Sequence, residues 1–162
     1  MFLVTCIETL QQLSGKVGKK NDLTNEKWTK KELLFSFFNE YTTEEDKSYI
    51  SERFMLDDDG QNETGAHSFQ HFVGVINEYR NCAAHEGEYW DYCFNNSLDH
   101  DKYPLLLNIS IDLENYSSKN KKKHCFQTLL SYQEFEIIFI QTCITFIREY
   151  NKKVTHCLDE QA

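Results

Sequence analysis

Seven consecutive residues, Tyr79-Arg80-Asn81-Cys82-Ala83-Ala84-His85, put an always-charged guanidinium, an amide and an imidazole within reach of one short helical stretch. Arg offers a planar fork of donors that matches a phosphate, and His, with an ordinary pKa of about 6.5, is suited to moving protons near neutral pH. These are the groups that RNA cleavage without a metal requires: a cation for the phosphate, and an acid or base for the oxygens that gain and lose protons. An Arg and a His this close also occur in helices that do no chemistry, so geometry decides. Asn81 and His85 lie four apart and can share a helical face, which lets the amide orient the imidazole. Arg80 and His85 lie five apart, about 140° around a straight helix, and do not converge on one phosphate unaided. Ala83 and Ala84 are small enough to admit a second helix. The spacing therefore predicts a composite site across a symmetric homodimer, or a single site assembled by a helix distortion near Gly87.

The elements that must position these residues read as helices. Leu3, Cys6, Ile7, Leu10 and Leu13 recur at helical spacing over residues 2 to 13. Thr29-Lys30-Lys31-Glu32 reads as a capping box opening a helix with Leu33, Leu34, Phe37, Phe38 and Tyr41 on its apolar side. Thr43 begins a similar cap for a third helix bearing Tyr49, Ile50 and Phe54. A fourth, over about 67 to 85, buries Phe69, Phe72, Val73, Ile76 and Ala83 and delivers the Arg80–His85 stretch. Leu105, Leu107, Ile109 and Ile111 alternate, so residues 104 to 111 are expected to be extended. A basic loop at Lys119 and Lys121-Lys122-Lys123 is expected to lead into a last helix over about 125 to 151, apolar around most of its girth and so in need of cover from its own domain or a second chain. The expectation is an all-α single domain over residues 1–162, with one short extended segment.

Composition bounds the partners. Hydrophobic residues make up 40% and aromatics 14% of the 162-residue chain, with one proline, which suits a globular protein of long helices. A net charge of −9 argues against a general nucleic-acid coat, because nonspecific binding comes mostly from cations neutralising phosphates. Any RNA contact must be local, and Lys121, Lys122 and Lys123 form the densest positive patch. Tyr89, Trp90, Tyr92 and Phe94 follow the Arg–His stretch and suit core packing best, with Trp90 also a candidate for stacking a base. The six cysteines have irregular spacing without a C-x-x-C pair, and the apolar start lacks a basic leader. Both favour reduced thiols and a cytoplasmic location. No apolar run is long enough to span a bilayer, so no membrane partner is expected.

Metal chemistry has little purchase. Asp57-Asp58-Asp59-Gly60 resembles a calcium loop, but aligning its glycine puts Met55 and Ala66 at the end ligands, so it reads as an acidic loop. His67 and His71 have ligand spacing without a third partner, and His124-Cys125 and His156-Cys157 are isolated pairs. Cys82 suits a small packed side chain better than a nucleophile. Neither a metal nor another cofactor is expected.

Arg80-Asn81 followed by His85 resembles the R-x(4 to 6)-H signature of the HEPN superfamily. The longer string Arg80 to Asp91 is similar to the R-N-x-C-A-H-H-x-R-L-W-N block of bacterial abortive-infection (AbiD/AbiF-like) proteins, matching at Arg80, Asn81, Ala84, His85 and Trp90. It departs at Ala83, Glu86 and Glu88, where that block has Cys, a second His and Arg. Acidic residues at the last two positions weaken anion binding by like-charge repulsion. The resemblance implies an all-helical, dimeric bundle that cuts RNA without a metal, the 2′-OH attacking the adjacent phosphate to leave a 2′,3′-cyclic phosphate and a 5′-OH. In that scheme His85 is general acid or base, Arg80 stabilises the phosphate charge and Asn81 positions one or the other. It also implies phage defence or a toxin–antitoxin pair, with an antitoxin or regulatory protein as a further partner. The alternative is a noncatalytic module that binds RNA, a nucleotide or a protein.

Overall fold

The computed structural model describes residues 2–13, 16, 18–20, 26–57, 66–86, 94–96, 99, 101–116 and 119–159, with the side chains of 2–5, 8, 13, 66, 67, 81–86 and 156–159 outside the description. Among the described residues the chain runs α1 (Phe2–Leu13), α2 (Lys30–Tyr41), α3 (Glu44–Arg53), β1 (Phe54–Leu56), α4 (Ala66–Glu86), β2 (Leu105–Ile111), β3 (Lys122–Thr128) and α5 (Tyr132–Asp159). Five helices and a three-stranded antiparallel sheet make this a mixed α/β protein, and the all-α expectation is overturned.

The correction has a definite source. Lys122 and Lys123, expected in a loop, belong to β3, and the last helix begins at Tyr132 rather than near 125. β3 is the central strand of the order β1-β3-β2, pairing Leu107 with Phe126 and Ile111 with Lys122. Its side chains alternate across the sheet, but only Phe126 on its inner face is strongly apolar, so its period of two was hidden. Hydrogen bonding to β2 on one side and β1 on the other makes it a strand despite that composition.

The chain forms two compact units, Thr43–Glu136 and Phe2–Thr42 with Ile137–Ala162. In the first, one sheet face presents Phe54, Leu107, Ile111 and Phe126 to the core, while Leu106, Asn108, Ser110 and Lys123 on the other face are exposed. Phe54 stacks on Phe126 at 5.2 Å and meets Phe72 of α4 edge-on at 5.3 Å. Phe72 continues to Phe135, which stacks on Phe94 at 5.0 Å. Next to Phe94, Asn95 anchors the segment before the sheet: its N–H donates to the Leu130 carbonyl at 2.9 Å and its amide to the carbonyls of Tyr103 and Thr128. Phe94 is thus core. Tyr89, Trp90 and Tyr92 lie outside the described residues, as does nearly all of the acidic run that begins at Asp57.

In the second unit the capping box is formed as the sequence suggests. The Thr29 hydroxyl accepts from the Glu32 N–H at 3.2 Å, and the Glu32 carboxylate accepts from the Thr29 N–H at 2.7 Å. The helix so started buries Leu33, Leu34, Phe37, Phe38 and Tyr41. Phe37 meets Phe146 of α5 at 5.9 Å, Tyr41 meets it edge-on at 4.9 Å, and the Thr42 and Thr142 hydroxyls hydrogen-bond at 3.2 Å. Buried Gln11 ties α1 to α2 by donating to the Leu33 carbonyl.

Candidate nucleic-acid interface on α4 and β3

The candidate site begins with a glycine. Gly74 sits in mid-α4, where it lowers helix propensity by about 1 kcal/mol relative to alanine. Its place is explained by Tyr116, whose ring lies where a Cβ on residue 74 would be. Asp112 shapes the turn that carries Tyr116: its carboxylate accepts from the N–H groups of Glu114 and Asn115, both at 3.1 Å, and its carbonyl from the Tyr116 N–H at 2.8 Å. Tyr116 closes the turn with φ of 49°. Burial, reinforced by the Asp112 charge, pushes its hydroxyl up to about 12.

One turn on from Gly74, buried Glu78 forms an ion pair with Lys121. The basic segment is thereby fastened to α4 two residues before Arg80, which is itself half-buried on the same helix. Gly74, Glu78, Asn81 and His85 recur at spacings of four, three and four, so their backbone positions form one stripe of α4. That stripe meets Tyr116 and Lys121. Arg80 lies about 140° away from His85 around the axis, since the helix runs unbroken through Glu86. Among the described residues it is Gly74 and Glu78 of this stripe that meet Tyr116 and Lys121, and the backbone of Arg80 lies off the stripe. Gly87, invoked for a distortion, lies outside the described residues, as do the side chains of Asn81 and His85. On the neighbouring strip of α4, Asn77 is buried, and its Oδ1 accepts no hydrogen bond among the described residues.

Beside this junction the β2–β3 connection encloses a cleft of about 460 Å³ lined by Asp112, Glu114, Asn120, Lys121, Lys122 and His124 together with Ile111 and Leu113. Lys122 and His124 lie two apart on β3 and share its inner face, at the open end beyond Phe126. The cleft is lined by two ammonium groups, that of Lys121 already paired with Glu78, and by an imidazole, with Glu114 as a further counter-charge and Asp112 committed to its own turn. His124 is the residue that sequence reasoning missed: treated as an isolated pair with Cys125, it belongs with Lys122 once the segment is a strand. Lys123 points from the opposite, exposed face and is not gathered into the cleft.

His71 is buried, with its ring edge-on to Phe126 at 6.4 Å, so it serves packing in the α4–sheet layer. Among the described residues, no three His, Cys, Asp or Glu side chains cluster as metal ligands. Nor is any described helix long and apolar enough to cross a membrane. Set against protein-family models, curated proteins and solved structures, the chain matches none of them.

Proposed function

We propose that this chain is a metal-independent endoribonuclease of the HEPN type, acting in phage defence or a toxin–antitoxin pair. The observation that carries the reading is the ion pair between Glu78 and Lys121, which fastens the basic segment to the stripe that continues to Asn81 and His85. An RNA backbone lying along that stripe meets Lys121 and Lys122 at one end and the motif at the other, about 10 Å further along the helix. The chemistry rests on the motif residues and not on a helical bundle. His85 takes the proton of the 2′-OH as that oxygen bonds to phosphorus, or returns one to the 5′ oxygen as its bond to phosphorus breaks. Arg80, displaced around the helix, neutralises the phosphate charge in a second copy's site. Asn81 positions His85.

The test is incubation of the purified protein with total RNA in EDTA, read by end-group analysis for 2′,3′-cyclic phosphate. His85→Ala should lower the rate by about 10² to 10⁴ with the fold intact, and Arg80→Lys should rescue little, because a point charge does not replace a planar fork. Undiminished cleavage by His85→Ala overturns the assignment. Cleavage abolished by chelation replaces it with metal hydrolysis.

A noncatalytic module that binds RNA, a nucleotide or a protein has its own support. Glu78 offsets the Lys121 charge and Glu114 lines the same cleft, which weakens the field that phosphate cleavage needs. RNA retained on the protein but never cut, with Lys122→Ala weakening retention, selects this second reading.

A further inference from the structure

The inward side of α5 within its own unit is accounted for: Ile138, Phe139, Thr142 and Phe146 are buried. Its opposite side is not. Ile137, Ile140, Ile144, Ile147 and Val154 are between 40% and 57% exposed. Their spacings are three, four, three and seven, and the position that completes the series is Asn151, also exposed. This is a heptad seam, with Ile137, Ile144 and Asn151 at one core position and Ile140, Ile147 and Val154 at the other. A merely amphipathic helix has one apolar stripe; this one has two, and the second follows the period of 3.5 that keeps a seam facing another helix.

We propose that this seam pairs in parallel with the α5 seam of a second copy of the chain. Three observations select that occupant. A knobs-into-holes seam requires the same two-position repeat on its partner, which an identical helix supplies. The seam runs from residue 137 to 154, about 26 Å of helix, flanked by exposed Gln141, Arg148 and Thr155, a length over which two copies are expected to reach about 1,000 Å², the size at which specific interfaces begin. Asn151 decides the direction. In a parallel pair its amide meets the identical amide and both are satisfied, whereas an antiparallel pair sets it against Ile140, where the amide is desolvated without a partner. No like charges face each other in the parallel register, since Arg148 lies beside Cys143 of the other copy and Lys152 and Lys153 point away from the seam.

The experiment is sedimentation velocity on the full chain at micromolar concentration. The unaltered protein should be a dimer, and Ile144→Glu, which replaces an exposed side chain outside the core, should raise the dimer dissociation constant more than about 100-fold with an unchanged circular dichroism spectrum. A monomer throughout overturns the proposal and leaves the seam to a different partner. A dimer indifferent to both Ile144→Glu and Ile140→Glu overturns it too, because association then uses another surface. Asn151→Cys should form an oxidative cross-link that the unaltered protein does not, and its failure to do so in a confirmed dimer overturns the parallel register.

Discussion

α4 and α5 bury themselves in opposite ways. Between Ser68 and Glu78 every residue of α4 except Gln70 is buried, and four of those, Ser68, His71, Asn77 and Glu78, are polar or titratable. α5 buries one stripe and leaves in solvent a second that is aliphatic except for Asn151. A helix buried on nearly all sides is specified from within the fold: Glu78 holds Lys121 and Gly74 admits Tyr116, while Asn77 keeps one buried oxygen without a hydrogen bond among the described residues. A helix with an outward apolar stripe leaves that specification to something it meets. Change at α4 should therefore be felt as lost stability, and change along the outer stripe of α5 as altered association.

The largest expected effect tests that contrast directly. Phe72→Ala removes the ring between Phe54 and Phe135 and should cost about 3–5 kcal/mol in urea unfolding, whereas Ile144→Ala should cost less than about 0.5 kcal/mol when measured on the monomer. Comparable losses at the two sites would erase the distinction. Gly74→Val comes next: the new side chain must displace the Tyr116 ring, at about 2–3 kcal/mol after a small gain in helix propensity. Most of that cost should vanish in a Tyr116→Ala background, and a double-mutant cycle with no coupling would mean that the ring is not what requires the glycine.

The smallest effect is alkaline and should appear in both regions. Burial, then the Asp112 charge, raises Tyr116 to about 12, while burial, then Glu40, raises Tyr41 to about 12. A hydroxyl whose pKa is higher in the folded state contributes stability that is complete below its unfolded value near 10 and is lost as pH rises through about 12. Thermal melts from pH 9 to 12 should fall in that window. Either tyrosine replaced by phenylalanine should shallow the fall, and an equal fall in the doubly substituted protein would assign it to other groups.

What the sequence disclosed followed the strength of local signals. Thr29 with Glu32, and Thr43 before Glu44-Glu45-Asp46, announce helix starts because their caps are satisfied within a few residues. The alternation of Leu105 to Ile111 marked one strand, yet its partner was hidden, since Lys122, His124 and Thr128 do not look like the inner face of a sheet. β1, at three residues, is too short to have a period. One available signal went unused: Ser131-Tyr132-Gln133-Glu134 is itself a capping box, with the Glu134 carboxylate accepting from the Ser131 N–H at 2.8 Å and the Ser131 hydroxyl accepting from the Glu134 N–H at 3.3 Å. It separates β3 from α5 and would have prevented their fusion into one helix. In the candidate site, the stretch Arg80–His85 was legible as a motif on a helix, and its chemistry stays a proposal. The tie between that helix and the lysines was not legible, because an ion pair between residues 78 and 121 depends on a hairpin that the all-α reading did not contain.

Asn95 carries a consequence for the order in which the chain organises. Its acceptors are carbonyls on two separate segments, Tyr103 before β2 and Thr128 and Leu130 at the far end of β3. Tyr103, Thr128 and Leu130 are brought together by the paired hairpin, so the Asn95 anchor is expected to form with the sheet, its ordering cost deferred until the sheet exists to reward it. Native-state hydrogen exchange should see the Asn95 amide open together with the β2–β3 ladder rather than with α4, making one asparagine a reporter on the cooperativity of the whole hairpin.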